Sequence, residues 1–445
     1  MKKVIIIARA FPPFLPVGHS IRVVKFIKYL PALNWRPVVL TIDDQNEYQR
    51  VRKVGSESLL SEIPSQVEIY RTTAGDISLK YLEKEMEFAR RNWLTGLIIR
   101  ILNAGRRWAI RTFLLPDPFI AWLPFALGGG RKIVKDEGID VIFATCPPYS
   151  SSLVGAFLKL FTGKPFILEF RDDWIDTPWF RSRAVVARMI ERRLENFAVK
   201  SADRVVLVTE WSRKAFINRY PTQPSDKFVL IPNGCDLAEF TIPNSMNGTS
   251  PDSKFTVVHA GSLNDSELWG RSPKSLFKAI CDIQRQHPDL AGKFRLVFTG
   301  NLPEGHLQAA QEMGISGIIE SLNHIKRDDF LRLLKSADLL VAINYDGFAS
   351  LIPGKIYEYW AVGGPPILLL SCPGAAQSLI DEYDLGFTVD PYDADAIRKV
   401  VWNAYRRKET GDPIRLRLDG IEKFDRRKLS EKFAQLLSMV TAERM

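Results

Sequence analysis

Histidine and cysteine are both scarce in this chain, with 5 and 4 residues in 445. The cysteines, Cys146, Cys235, Cys281 and Cys372, stand far apart and form no Cys-x-x-Cys pair. That argues against a zinc site or a disulfide framework and fits a reducing compartment such as the cytosol. Long apolar runs are missing too: no uninterrupted segment reaches the ~20 residues needed to cross a bilayer. The apolar stretch after Lys2 and Lys3 stops at Arg9. It is too short for a secretion signal and reads as a first buried strand. No low-complexity tract and no short internal repeat interrupts the chain, so most of it is expected to fold.

Hydrophobic residues make up 46% and charged residues 25%, the balance of a soluble globular protein. The length suits two or three domains. The formal charge is +10, which admits nucleic acid, an anionic membrane surface, anionic small substrates or plain surface solvation. The basic residues form neither a reading helix nor a stacking sheet, which argues against nucleic acid.

Short apolar runs alternate with amphipathic helical patterns, the signature of doubly wound α/β domains. Val4–Ala8, Pro37–Ile42, Val141–Thr145, Phe166–Phe170 and Val205–Thr209 read as strands of a first parallel sheet. Phe255–Ala260, Phe294–Thr299, Gly317–Glu320, Leu339–Ile343 and Ile367–Leu370 read as strands of a second. Thr241 to Lys254, rich in Asn, Pro, Ser and Gly, reads as a linker. Asp425 to Glu443 reads as a terminal helix. The expected domains are therefore 1–240 and 241–424, with 425–445 packing back on the first.

Open α/β sheets bind ligands beyond the carboxyl ends of their strands, and two such domains facing each other would make a cleft. The first strand runs into Phe11-Pro12-Pro13 and on to Gly18, His19 and Arg22. Gly18 permits close ligand approach, and Arg22 can face an anion; the plain alternative is a capped, proline-rich turn. Phe170-Arg171-Asp172-Asp173-Trp174 ends another strand. Arg171 with an Asp can shape a ligand site or serve as a structural ion pair, while a metal there lacks further ligands. Asp393-Ala394-Asp395 reads as a helix cap, not a metal motif. Gly261, followed by Arg271 and Lys274 at a helix start, is one phosphate-binding candidate. Pro353-Gly354-Lys355-Ile356-Tyr357-Glu358 is the other, or else a crossover helix with an exposed charge pair.

Taken in order, these pieces resemble a GT-B glycosyltransferase of the glycosyltransferase-4-like type. The resemblance also rests on Thr145-Cys146-Pro147-Pro148, Ser201-Ala202-Asp203-Arg204, Ile231-Pro232-Asn233-Gly234-Cys235-Asp236 and Ser336-Ala337-Asp338-Leu339. It implies two Rossmann-like domains and retaining, metal-independent transfer of a hexosyl or N-acetylhexosaminyl group from a nucleoside-diphosphate sugar, UDP ahead of GDP. No cofactor is required. The implied donor set is Lys355, Glu358, Gly261, Ile356, Gly354 and Gly18, with Glu358 on the ribose. The implied catalytic set is Arg271, Lys274, Asp172 and His19, with Arg271 and either Lys274 or Lys355 facing the pyrophosphate. Arg22, Arg171 and Trp174 fall on the acceptor side. Two positions depart from the family pattern: Ser350 stands where many members carry a glutamate, and Thr145-Cys146-Pro147-Pro148 lacks a common histidine. An epimerase of the same fold and a non-catalytic partner protein are the alternatives.

From Lys80 to Leu115 the chain is basic and aromatic. Trp93, Leu94, Leu97, Ile98, Ile101, Leu102 and Trp108 share one helical face, with Arg100, Arg107 and Arg111 toward the opposite edge. Phe119, Trp122, Leu123 and Phe125 would extend the apolar surface. The pattern fits either a core-packed helix or one lying on an anionic membrane. With the resemblance, it suggests a peripheral enzyme on the cytoplasmic face, contacting membrane through about residues 80–125. The acceptor would be a polyprenyl-diphosphate-linked or other glycan in polysaccharide or O-antigen synthesis.

Overall fold

The computed structural model describes residues 1–13, 17–43, 57–73, 114–240, 254–263, 271–322, 325–344 and 347–443. The chain divides into two compact units. One comprises Met1–Pro232 with Leu429–Met445, the other Asn233–Lys428.

The first unit holds a seven-stranded parallel sheet in the order β3-β2-β1-β4-β5-β6-β7. The strands are β1 (Lys2–Ile7), β2 (Trp35–Asp43), β3 (Glu68–Thr73), β4 (Val141–Cys146), β5 (Phe166–Phe170), β6 (Arg204–Leu207) and β7 (Phe228–Leu230). Helices α1 (Val17–Tyr29), α2 (Leu123–Asp136), α3 (Ser150–Thr162), α4 (Val185–Ser201) and α5 (Glu210–Arg219) make the connections. Both faces of the central strands are covered, so Val4 to Ile7 are all fully buried. This is why those strands read as unbroken apolar runs rather than alternating ones. The C-terminal helix Arg426–Ala442 covers part of one face, where Phe433 stacks on Phe26 and meets Phe143, each at 4.6 Å between ring centres.

The second unit repeats the plan with six parallel strands, β10-β9-β8-β11-β12-β13. They are β8 (Phe255–Ala260), β9 (Phe294–Thr299), β10 (Ile319–Leu322), β11 (Leu339–Ile343), β12 (Ile367–Leu370) and β13 (Gly386–Val389). Its main helices are α6 (Lys274–Gln286), α7 (Glu304–Glu312), α8 (Arg327–Ser336), α9 (Gly354–Val362), α10 (Ala375–Glu382) and α11 (Ala394–Glu409). The Asp393 carboxylate accepts the Ala396 N–H at 2.8 Å, so Asp393 caps α11. In each sheet the strand order reverses beside the first strand, β1 or β8, which opens a crevice at the carboxyl ends there.

Three sequence expectations meet differences. The expected boundary at residue 240 falls at Pro232 instead. The Cys235 N–H donates to the Phe424 carbonyl at 3.1 Å and Arg426 N–H to the Cys235 carbonyl at 2.9 Å, tying 233–240 into the second unit. Arg22, expected to face an anion on the acceptor side, is buried instead. Its Nε donates to Glu169 Oε1 at 2.8 Å, and its Nη atoms donate to the carbonyls of Ile231 and Pro232 at 2.8 and 2.6 Å. Glu169 lies on a strand covered on both faces, so its charge needs a partner, and Arg22 supplies it. Trp122, expected on an exposed apolar surface, is fully buried, and its Nε1–H donates to Thr72 Oγ1 at 2.8 Å. Residues 80–113 of the expected membrane segment lie outside the described residues; of its described end, Phe125 is exposed. Among the described residues no helix is long and apolar enough to cross a membrane.

Breaking the buried pair on one side strands a charge. Arg22→Ala should therefore lower unfolding free energy by about 3–5 kcal/mol in urea titration, and Arg22→Met with Glu169→Leu should lose markedly less.

Candidate functional site

In the second unit the polar groups of interest gather at the carboxyl ends of β8, β9 and β11. β8 ends at Ala260, and Gly261 follows at φ +131°. Gly300, at φ +124°, does the same after β9; a Cβ on it would come within 2.7 Å of the Gly261 carbonyl carbon. Two glycine backbones in contact keep this rim low, leaving room for a ligand close to the chain.

Helix α9 supplies the charges. Its Ile356, Tyr357, Tyr359 and Trp360 are fully buried. Tyr357 and Trp360 pack on Phe424, and Trp360 also packs on Tyr383. The Tyr359 hydroxyl accepts the Ala260 N–H at 2.7 Å and donates to the Val341 carbonyl at 3.2 Å, locking the helix to β8 and β11. With those positions turned inward, Lys355 and Glu358 emerge, and their side chains meet at 2.9 Å. Arg327, the first residue of α8, lies 3.9 Å from the same carboxylate. Burial alone would raise the Glu358 pKa, but Lys355, Arg327 and Arg426 outweigh it and hold the carboxyl below its usual range. Glu358 is therefore an ionised acceptor ringed by cations.

His259 connects this group to the loop side. Its Nδ1 lies 3.0 Å from the Val341 carbonyl. Burial, with the charges of Arg271 and Lys355, lowers its pKa to about 4, so the ring is neutral at physiological pH. Arg271 and Lys355 thus bear on one buried ring beside Gly261. Lys274 opens α6 with an exposed side chain. Ile356 faces the core, so any ligand contact there would be through its backbone. Gly354, at the helix start, has open space where a Cβ would stand. Ser350 lies half-buried in the loop before α9.

The first unit gathers a second set at the carboxyl ends of β1, β4 and β5. The Arg171 guanidinium donates to the carbonyls of Cys146 and Pro147. Asp172 follows, its carboxyl pushed up by burial and by Asp173 against the pull of Arg171. Trp174, expected to meet an acceptor, is instead a packing residue. It is buried, stacks on Tyr149 with ring centres 4.8 Å apart, and donates its indole N–H to Glu191 at 3.1 Å. Gly18 lies in the first turn of α1; the side chain of His19 is outside the described residues.

Sequence reading missed three residues here. Arg327 is a basic residue at a helix start and was legible as such. Arg9 ends the first apolar run, and its guanidinium lies 3.5 Å above the Phe119 ring. Asp117 accepts the N–H groups of Ser150 and Phe119 at 2.9 and 3.0 Å, so it caps α3 from a distant loop. Nothing local in the sequence marks that long-range cap.

A family model for Glycosyltransferase Family 4 matches residues 16–239, half of the chain. The chain belongs to Glycosyltransferase Family 4. A D-inositol 3-phosphate glycosyltransferase of Nocardioides sp. is 24% identical over 230 residues, 47% of this chain and 48% of that protein. One from Corynebacterium kroppenstedtii is 26% identical over 214 residues, 45% of each. The match thus spans about half the length of these curated relatives. Among solved structures, sucrose-phosphate synthase from Thermosynechococcus elongatus superposes with a TM-score of 0.67 at 16% identity over all of both chains. An Anabaena protein, HepE, in complex with UDP and glucose does so at 0.62 and 16%, covering 99% of this chain and 100% of that one. WaaG, a glycosyltransferase involved in lipopolysaccharide biosynthesis, does so at 0.59 and 15%, covering 98% and 99%. For this Glycosyltransferase Family 4 member, these likenesses establish the GT-B fold.

The depressed Glu358 pKa has a measurable sign. Its contribution to stability is fully present above the ordinary value of 4.5 and is lost as pH falls through the lower folded value. The stability difference between the wild type and Glu358→Gln should therefore shrink on acidification below pH 4.5 in denaturant titrations. A pH-independent difference would show that the surrounding cations do not favour the charged form.

Proposed function

We propose that the protein transfers a sugar from a nucleoside-diphosphate sugar to a glycan acceptor. The observation that carries this reading is the Glu358 carboxylate, held ionised beside Lys355 and Arg327 and next to a glycine rim where Arg271 also bears. Such a carboxylate accepts hydrogen bonds from a vicinal diol, as in a ribose. The Gly354 end of α9 and the cations suit a diphosphate. When the glycosidic bond breaks, the diphosphate gains negative charge, and preorganised Arg271 and Lys355 stabilise it without a metal. Lys274, exposed at the start of α6 three residues after Arg271, is the secondary cation.

The further terms of the proposal are retention of configuration, uridine as the base and a lipid-linked acceptor for surface polysaccharide or O-antigen. The uridine term is supported by the UDP and UDP-glucose that the Anabaena protein binds. Arg171 and Asp172 form the acceptor-side pair, with Asp172 as the carboxyl for the incoming hydroxyl. The enzyme would work on the cytoplasmic face of the membrane.

A nucleotide panel tests the donor site directly, since a ligand of the native state raises the melting temperature. UDP should raise it more than GDP. Lys355→Ala and Glu358→Ala should each weaken UDP by about tenfold or more, the worth of one charge-assisted contact. Unchanged affinity in both variants would remove α9 from the site. Incubation of a UDP-sugar panel with a lipid extract, followed by NMR of the product, should give the donor's anomeric configuration. Binding without transfer or hydrolysis would instead favour a non-catalytic partner protein.

A further inference from the structure

Helix α4 buries two carboxylates and exposes aliphatic side chains at its start. Its carboxylates point inward: Glu191 and Glu195 are buried, at 1% and 0% exposure. Glu191 is held by Arg183 and by the Trp174 indole, and Glu195 by Arg219 and the Tyr220 hydroxyl at 2.8 and 2.6 Å. Four aliphatic residues at its N-terminal end point outward, while Ala187, Ala198 and Val199 are buried. Val185 and Val186 are 61% and 63% exposed, and Met189 and Ile190 are 49% and 39% exposed. At spacings of one, four and five residues these four form one contiguous stripe on the outer face. Arg181 precedes the stripe, and Arg192 and Arg193 follow it, all exposed. Between Arg181 and Arg193 the single acidic residue is the buried Glu191, so the outer surface there carries positive charge alone. Further along, Arg192, Lys200 and Arg219, with Asp176, line an open cavity of about 570 Å³.

We propose that this face of α4 docks on an anionic bilayer surface. Apolar side chains inserted at headgroup level, with arginines at their edge, match what holds amphipathic helices in an interface. Arginine pairs well with lipid phosphate because its planar fork makes two hydrogen bonds. A second copy of the chain is a poor occupant: a two-fold contact would bring the same arginines of two copies together. Packing in this unit also connects the patch to the acceptor side. Glu191, under the stripe, holds Trp174, which follows Arg171 and Asp172 at the end of β5. Docking through α4 would thus hold that loop on the helix's inner side, one helix diameter (~10 Å) from the lipid surface. The patch rests on the proposed function only for the acceptor being lipid-linked.

Vesicle sedimentation without any nucleotide tests this independently of the donor site. Wild type should pellet with vesicles of phosphatidylglycerol and phosphatidylcholine in equal amounts and stay in solution with phosphatidylcholine alone. Val186→Asp/Met189→Asp and, separately, Arg192→Glu/Arg193→Glu should each lower the bound fraction by about tenfold or more. Both should keep the wild-type melting temperature and UDP response, because the altered side chains are exposed. Wild-type vesicle binding by both folded variants would overturn the proposal. So would a concentration-dependent dimer, seen by sedimentation velocity, that Val186→Asp/Met189→Asp abolishes while vesicle binding persists.

Discussion

A carboxylate in the middle of a doubly covered parallel sheet cannot be left alone, and the first unit is arranged around that fact. Glu169 is fully buried on β5. It takes the Arg22 guanidinium on one oxygen and the Thr145 hydroxyl, at 2.6 Å, on the other. The same guanidinium reaches the carbonyls of Ile231 and Pro232. One ion pair thus fastens α1, β4, β5 and the chain's exit from the unit. Removing the charges of such a pair together costs less than removing one, so its role is to specify the arrangement more than to add stability.

The same accounting separates structural from ligand-facing charge. Glu191 and Glu195 are enclosed and answered by arginines and aromatic N–H or O–H donors, so they hold α4 and the Trp174 loop together. Glu358 is partly open, paired with Lys355 and bordered by Arg327, whose guanidinium also donates to Glu239 at 3.1 Å. A half-open carboxylate with lysine and arginine beside it at the carboxyl edge of a sheet suits an anionic ligand with hydroxyls beside the charge. Family membership narrows the chemistry, and the arrangement of Glu358, Lys355, Arg327 and Arg271 narrows where in the second unit it would occur.

Strands buried on both faces were the most legible parts of the fold. Phe166–Phe170, Phe255–Ala260, Phe294–Thr299, Leu339–Ile343 and Ile367–Leu370 agree residue for residue with β5, β8, β9, β11 and β12. The edge strands β3, β7 and β13 went unread, and β10 lay two residues from its expected start. An edge strand such as Glu-Ile-Tyr-Arg-Thr-Thr in β3 is half-exposed along its length. It lacks the apolar run that announces a central one.

The chain's own order of apolar runs and turns determined two doubly wound units, the start of α9 after Pro353 and its stop at Gly363, and the outward Lys355–Glu358 pair. Those follow from local spacing and backbone preference. Tertiary structure decided which charges are spent inside. Arg22 and Trp174 look like site residues in sequence and prove to be fasteners, because Glu169 and Glu191 are buried opposite them. Arg327 looks incidental and stands beside Glu358, because α8 and α9 lie side by side. Whether a polar side chain faces a ligand or a buried partner depends on groups far away in the chain, and only the folded arrangement brings them together.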